Sequence, residues 1–342
     1  MKKIATEEHF FTRKYMDYLR TRKTAPRLEA TEDDKGNRIE NLHHPTRVTV
    51  FSPQQVEKIL DIGPIRLKEM DEAGVDMQVL SMSSPGVDEL DDVDAGTEMA
   101  RVINDELAES IKRNPKRFAG FASVAPGNPR AAADELKRAV TKLGLNGAKI
   151  NSHGHGRYLD DKKYWPFFEA AESLGAPIYI HPTEPHPDML KVFEGYPMLT
   201  TAVWGYAAEV GLHSMRLIFS GLFDAFPKLK IIIGHLGESI PFWFWRIDNR
   251  WNLNPTNKSG AKKSPMTYFK ENFMVTTSGM FWDPALLCTY MAVGADNILF
   301  AVDYPYESSM VAAKFMDSAP ICELDREKIA HLNAEKLLKL KL

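Results

Sequence analysis

Short runs of apolar and β-branched residues recur along the chain, spaced widely enough to leave room for a helix between them. They are KIATEE at 3–8, VDMQVLS at 75–81, FAGFASV at 118–124, GAKIN at 147–151, PIYIHP at 177–182, LKIIIGH at 229–235, NFMVTTS at 272–278 and NILFAVD at 297–303. Runs of this kind read as strands of a parallel sheet covered on both faces. Helical stretches at 95–112, 129–143, 165–174 and 213–226 precede the third to the sixth of them. Eight strand candidates in 342 residues predict an α/β fold, a (β/α)8 TIM barrel that takes residues 1–342 as a single domain. A doubly wound open sheet would call for a glycine-rich turn after its first strand, where Glu7, Glu8 and His9 stand instead. One segment breaks the rhythm. Residues 12–56, with the polar stretch EATEDDKGNRIENLHHPTR, are read as a loop or cap excursion over the barrel mouth, with His43 and His44 in solvent.

Composition narrows the function classes. Lys and Arg total 43 against 46 Asp and Glu, a net charge of -3, so no basic surplus points to nucleic acid or an anionic membrane. No run of about 18 apolar residues occurs, and acid arrives at residue 7, so neither a membrane span nor a secretory signal is expected. Cys288 and Cys322 lie in unrelated segments with no metal-type spacing; two free thiols fit a reducing compartment, and a cytoplasmic protein is expected.

Ionisable residues gather at the strand ends. Side chains alternate along a strand, so Ala5, Glu7 and His9 are expected on one face and Ile4, Thr6 and Glu8 on the other. Glu8 is then expected to form a salt bridge toward the helices. His181 ends the fifth strand, His235 and Glu238 follow the sixth, and Asp303 follows the eighth. In a barrel these ends open on the one face that carries active sites. Glu, His, His and Asp make a mixed oxygen–nitrogen set suited to one divalent cation, Mn2+ or Zn2+. Asn151 ends the fourth strand and is a candidate for the pocket, as are Phe281 and Tyr306 past the seventh and eighth, whose rings suit an aromatic ligand. Glu209 and His213, four apart on a helix, read equally as a structural pair or a pocket wall. The aromatic run PFWFW at 241–245 suits helix packing or a subunit contact.

The stretches ATEEHF, LSMSSPGV, NPKRFAGFASVAP, INSHGHGRYLD, YIHP, FDAFPKLKIIIGHLGESIPFWFWRID, VTTSGMFWDPAL and FAVDYPYE resemble, in order, the amidohydrolase superfamily and its metal-dependent decarboxylase branch. That branch holds γ-resorcylate, 2,3-dihydroxybenzoate, 5-carboxyvanillate and aminocarboxymuconate semialdehyde decarboxylases. INSHGHGRYLD and DYPY look most like the carboxyvanillate enzyme, ATEEHF and WRIDNR like the resorcylate enzymes. The resemblance implies metal ligation by Glu7, His9, His181 and Asp303, with His235 beside the substrate and Glu238 supporting it. Some relatives carry Ala at the position of His9. Arg47 is the nearest candidate for an arginine that, in some relatives, reaches the substrate from a neighbouring subunit. The implied reaction is nonoxidative loss of carbon dioxide from a small ortho-hydroxy aromatic carboxylate, with Asp303 protonating the ring carbon first, in a homodimer or homotetramer. The same ligand set also serves metal-dependent hydrolysis of a lactone or amide.

Overall fold

The computed structural model describes residues 1–254 and 260–340. The barrel begins with β1 (Ile4–Phe10). Three strands follow in the excursion: β2 (Arg27–Glu32), β3 (Arg38–His43) and β4 (Val48–Phe51). The barrel resumes with β5 (Met77–Met82), β6 (Phe118–Gly120), β7 (Ala122–Ser123), β8 (Ala148–Asn151) and β9 (Ile178–His181), and ends with β10 (Ile231–Ile233), β11 (Phe273–Thr276) and β12 (Ile298–Leu299). Parallel ladders join β1–β5–β6 and β7–β8–β9–β10–β11–β12. Two seams close the ring. At one, the Phe121 amide between β6 and β7 donates to Leu80 O at 2.9 Å and that of Ala122 to Gly147 O at 2.8 Å. At the other, Thr6 N–H meets Phe300 O at 3.0 Å and Asp303 N–H meets Glu7 O at 2.9 Å. All eight strand runs of the sequence therefore lie in one closed barrel.

Each barrel strand is buried on both faces. Ile178 and Ile180, or Ile231 and Ile233, pack outward under the helices, while Ile4, Met77, Val79, Phe121, Tyr179, Ile232, Met274 and Leu299 fill the interior. Ala334 and Leu338 of the last helix, Asn333–Leu338, join this inner cluster and plug the floor. The polar strand ends are thus left at the opposite face. Helices Val93–Arg113 and Trp165–Leu174 cover the expected stretches, whereas the helix expected at 213–226 starts earlier, as Gly205–Phe219.

Two expectations change. Ala5 packs outward and Ile4 inward, so Ala5 does not share a face with Glu7. The cause is a bulge: Ala5 pairs with Gln78 but Glu8 with Leu80, so β1 carries one extra residue. The bulge resets the alternation and turns Glu7 and His9 into the barrel. The excursion is also no mere loop. It holds a helix, Arg13–Thr21, and the antiparallel sheet β2–β3–β4. Asp33 builds the β2–β3 turn by accepting the Lys35 and Asn37 amides, both at 2.8 Å, with Gly36 at φ 76°. Its histidines are not both in solvent: His44 is buried and bonds Thr49 Oγ1 at 3.1 Å.

Among the described residues Glu8 forms no ion pair to within 4.0 Å; its Oε1 accepts the Val302 amide at 2.9 Å. Burial pushes its carboxyl well up, and Arg66 is the cation that offsets this. Arg66 is itself fully buried, and fastens the end of β1 by donating to His9 O (2.6 Å), Gln78 Oε1 (3.1 Å) and Asp61 O (2.8 Å), its plane lying over Tyr304. Replacing it strands three acceptors, two of them buried and each of those worth roughly 1–3 kcal/mol. Arg66→Met is therefore expected to lower unfolding stability by about 3 kcal/mol or more in a urea titration.

Candidate active site

Glu7 is a carboxylate held in a hydroxyl socket. Its Oε2 accepts from the hydroxyls of Tyr179 on β9, Thr276 on β11 and Ser278 just beyond. Its Oε1, equally buried, has no hydrogen-bond partner and lies 3.7 Å from His181 Nε2 and 4.0 Å from His9 Nε2. His181 Nδ1 sits 2.8 Å from Pro182 O. A carbonyl only accepts, so Nδ1 carries the proton and the Nε2 lone pair faces the cluster. His9 Nε2 stands 3.0 Å from Asp303 Oδ1 yet outside hydrogen-bond geometry. Burial, and then the charge of Lys149, lower His9 to about 3, so its ring is neutral.

Asp303 follows β12 in a left-handed conformation, φ 79°, with its amide on Glu7 O. Burial pushes its carboxyl up to about 7, against the pull of His235 and Lys149. Glu7, His9, His181 and Asp303 present four donor atoms within 4.8 Å of one another. Buried acceptors that converge without partners are costly, and a shared divalent cation removes that cost. The residues present therefore fit such an ion.

His235 stands beside this cluster on a contorted segment. Residues 235–239 all have positive φ, from 51° to 89°, and four of the five are not glycine. Each such non-glycine residue costs roughly 1–2 kcal/mol, and strain of this kind concentrates at functional sites. The turn brings His235 Nδ1 to 2.7 Å from Glu238 Oε1. Burial opposes charge on the ring, but the Glu238 carboxylate outweighs it and lifts His235 to about 10. At neutral pH the ring is an imidazolium. Gly279, at φ 58°, keeps the space before it open: a Cβ there would lie 3.3 Å from His235 Cδ2 and 3.6 Å from Asp303 Oδ2.

The other candidates separate. Tyr306 lies at the cluster, its ring 5.7 Å from that of His9, its hydroxyl 2.7 Å from Ser83 Oγ. Arg47 reaches from the excursion to the loop after β9, 3.3 Å from Glu184 Oε1 and 2.6 Å from Tyr206 Oη. Asn151 is not free for a ligand: its amide meets Asp88 Oδ1 at 3.1 Å and its Oδ1 accepts from Lys149. Phe281 packs on Phe315, ring centres 5.9 Å apart, within the helical layer. Lys149, buried in the middle of the GAKIN run, went unnoticed in the sequence, although a charge inside an otherwise buried strand is itself a signal.

Ser152, His213 and Glu209 assemble like a nucleophile and its base, at 2.9 and 2.8 Å. The hydrogen bonds run the wrong way. His213 Nε2 accepts the Leu159 amide at 3.1 Å, so Nδ1 holds the proton and donates to Ser152, which donates to Glu209. The ring cannot deprotonate Ser152, and the pair His213–Glu209 is structural.

Comparison with known proteins places this geometry. The amidohydrolase family model matches residues 42–340. The γ-resorcylate decarboxylase of a Polaromonas species is 40% identical over 84% of this chain and 90% of its own length. The crystal structure of 5-carboxyvanillate decarboxylase from Sphingomonas paucimobilis is 37% identical, with a TM-score of 0.88 over 99% of both chains. A Polaromonas dihydroxybenzoic acid decarboxylase, solved with manganese and the inhibitor 2-nitroresorcinol, is 37% identical, with a TM-score of 0.87 over 99% of this chain and 97% of its own. The chain belongs to the amidohydrolase family, on its branch of metal-dependent decarboxylases.

Proposed function

We propose that this protein removes carbon dioxide, without oxidation, from an aromatic acid bearing a hydroxyl ortho to its carboxylate. One observation carries the reading: four donors, three of them on buried residues and the fourth on Asp303, converge beside the His235–Glu238 ion pair. Glu7, His9, His181 and Asp303 would hold one divalent ion, and the manganese-bound relative favours Mn2+ over Zn2+. When bound, the ion supplies Lewis-acid stabilisation to the carboxylate and hydroxyl oxygens of the substrate.

The protein's own groups do the proton work. His235 donates a charge-assisted hydrogen bond to an anionic oxygen of the substrate, and Glu238 keeps its ring charged and aimed. Asp303 Oδ1 faces His9, which leaves Oδ2 on the His235 side. Oδ2 passes a proton to the ring carbon that bears the carboxylate. The carbon–carbon bond then breaks, its electron pair restores the aromatic ring, and carbon dioxide leaves. Tyr306, a half-exposed residue whose ring lies 5.7 Å from that of His9, offers the substrate a stacking face. Arg47, held over the mouth by Glu184 and Tyr206, is the cation available to a second anionic substituent, as 5-carboxyvanillate would have.

Phe242, Trp243 and Trp245 are 76%, 50% and 75% exposed along the helix Ile240–Asn252, so a homodimer or homotetramer is proposed, with this face between subunits. Among the described residues no helix is long and apolar enough to cross a membrane, and a cytoplasmic location is proposed.

The following outcomes are expected. Protein loaded with Mn2+ should release carbon dioxide from at least one of γ-resorcylate, 2,3-dihydroxybenzoate and 5-carboxyvanillate, and chelation should abolish this. Acid release from a lactone or amide with no carbon dioxide would instead favour the hydrolase reading. Glu7→Gln should reduce metal affinity by about a hundredfold or more, measured by metal analysis after dialysis. Glu8→Gln keeps an acceptor for Val302 and should retain the metal. In metal-free protein His235 should stay protonated until the pH approaches 10, so the stability its ion pair gives is present below pH about 6.5 and lost as pH rises through about 10. Glu238→Gln removes the group that most opposes burial and leaves only Glu7 and Asp303 to favour the charged ring: the NMR titration of His235 should move down from about 10, and kcat should fall by about 10²-fold or more.

A further inference from the structure

Lys149 stands on β8, level with Tyr179 and two pairs below Asn151 and His181. It is only 4% exposed. Its side chain rises along the barrel wall to donate to Met82 O at 2.7 Å and to Asn151 Oδ1 at 2.5 Å. Met82 is the last residue of β5 and pairs with Phe10, so the ammonium lies at the height of the strand ends that carry His9 and His181.

An ammonium has three N–H groups, and two of these are used. Among the described residues no carboxylate lies within 4.0 Å of Nζ, and no further contact accompanies the two hydrogen bonds. Asp88, Glu89, Glu7 and Asp303 act on it only at a distance. Asp88 is engaged by the Asn151 amides, and Glu89 by Ser84 Oγ, the Gly86 amide and Thr183 Oγ1. Glu7 is held in its hydroxyl socket, and Asp303 beside His9. A buried cation whose counter-charges all stand off costs several kcal/mol unless something anionic completes it.

We propose that Lys149 binds the substrate, its third N–H meeting an oxygen of the carboxylate that is lost. It does so from the β5–β8 wall, across the barrel from His235, which follows β10. The inference rests on the decarboxylase reading and adds a residue to it. It also gives the site a way to tell acid from product: the phenol has no carboxylate for Lys149 to hold. An interaction made with the ground-state carboxylate appears in KM more than in kcat.

The test uses metal-loaded wild type, Lys149→Met, Lys149→Gln and Lys149→Arg. Metal content, KM for the acid that the wild type decarboxylates fastest, and the inhibition constant of the corresponding phenol are measured. Lys149→Met should keep its metal, raise KM tenfold or more, change kcat by less than threefold, and shift the phenol constant by less than twofold. Lys149→Arg restores the charge and should recover part of the KM. Lys149→Gln keeps a donor for Met82 O, and provides the uncharged comparison should the Met variant fold poorly. An unchanged KM, or equal weakening of acid and phenol in the uncharged variants, overturns the inference and makes Lys149 a framework residue. A wild type that releases no carbon dioxide from any ortho-hydroxybenzoate overturns the decarboxylase reading itself, a result visible before any variant is made.

Discussion

The burial of the Glu7 carboxylate governs this structure. A charge at the end of an inner strand is unfavourable by several kcal/mol unless its lone pairs are met. Here one oxygen is met by three hydroxyls drawn from β9, β11 and the residue beyond it. The other is left open toward two histidines and Asp303. The bulge in β1 is what aims the carboxylate there, and the backbone of Glu7 accepts the Asp303 amide, closing the barrel between its first and last strands. Barrel closure and site assembly are thus one event. A chain that failed to seat Glu7 would lose one bond of this seam, which Thr6 and His9 also make through Phe300 O and Tyr304 O, and with it the donor set.

Charge is balanced around the pocket in separate units. Glu238 answers His235 directly, at 2.7 Å. Glu7 and Asp303 together match one divalent ion. Lys149 faces Asp88 and Glu89 at a distance, and burial holds its ammonium down to about 8. The first unit is complete within the protein; the other two are not. The incomplete units lie on adjoining walls of the same opening, where a chelating, anionic aromatic acid would supply what each lacks. Strain supports the same arrangement, since the run of positive φ from His235 to Ser239 is tolerated only because surrounding packing over-determines it.

Much of the fold was legible because barrel strands covered on both faces leave long apolar runs, and all eight appear in KIATEE through NILFAVD. The strand ends were legible for the same reason, as ionisable residues stand out against such runs. The face of Ala5 was not, because a bulge shifts parity without any change in residue type. The excursion strands were missed because one face is solvated: in RLEATE only Leu28 is buried, and the stretch reads as polar loop. Asn151 looked like a pocket residue by position. Its amide is claimed by Asp88, a residue on another loop whose proximity no local pattern announces. Lys149 was hidden in the opposite sense, as a lysine in a four-residue strand resembles a solvent-facing position until the barrel closes around it.

Anomalous diffraction from crystals grown with Mn2+ tests the central claim most directly. The account predicts a single strong peak per chain, bounded by Glu7, His9, His181 and Asp303. Absence of a peak among these four residues at saturating Mn2+, or a peak bound elsewhere on the chain, would contradict it.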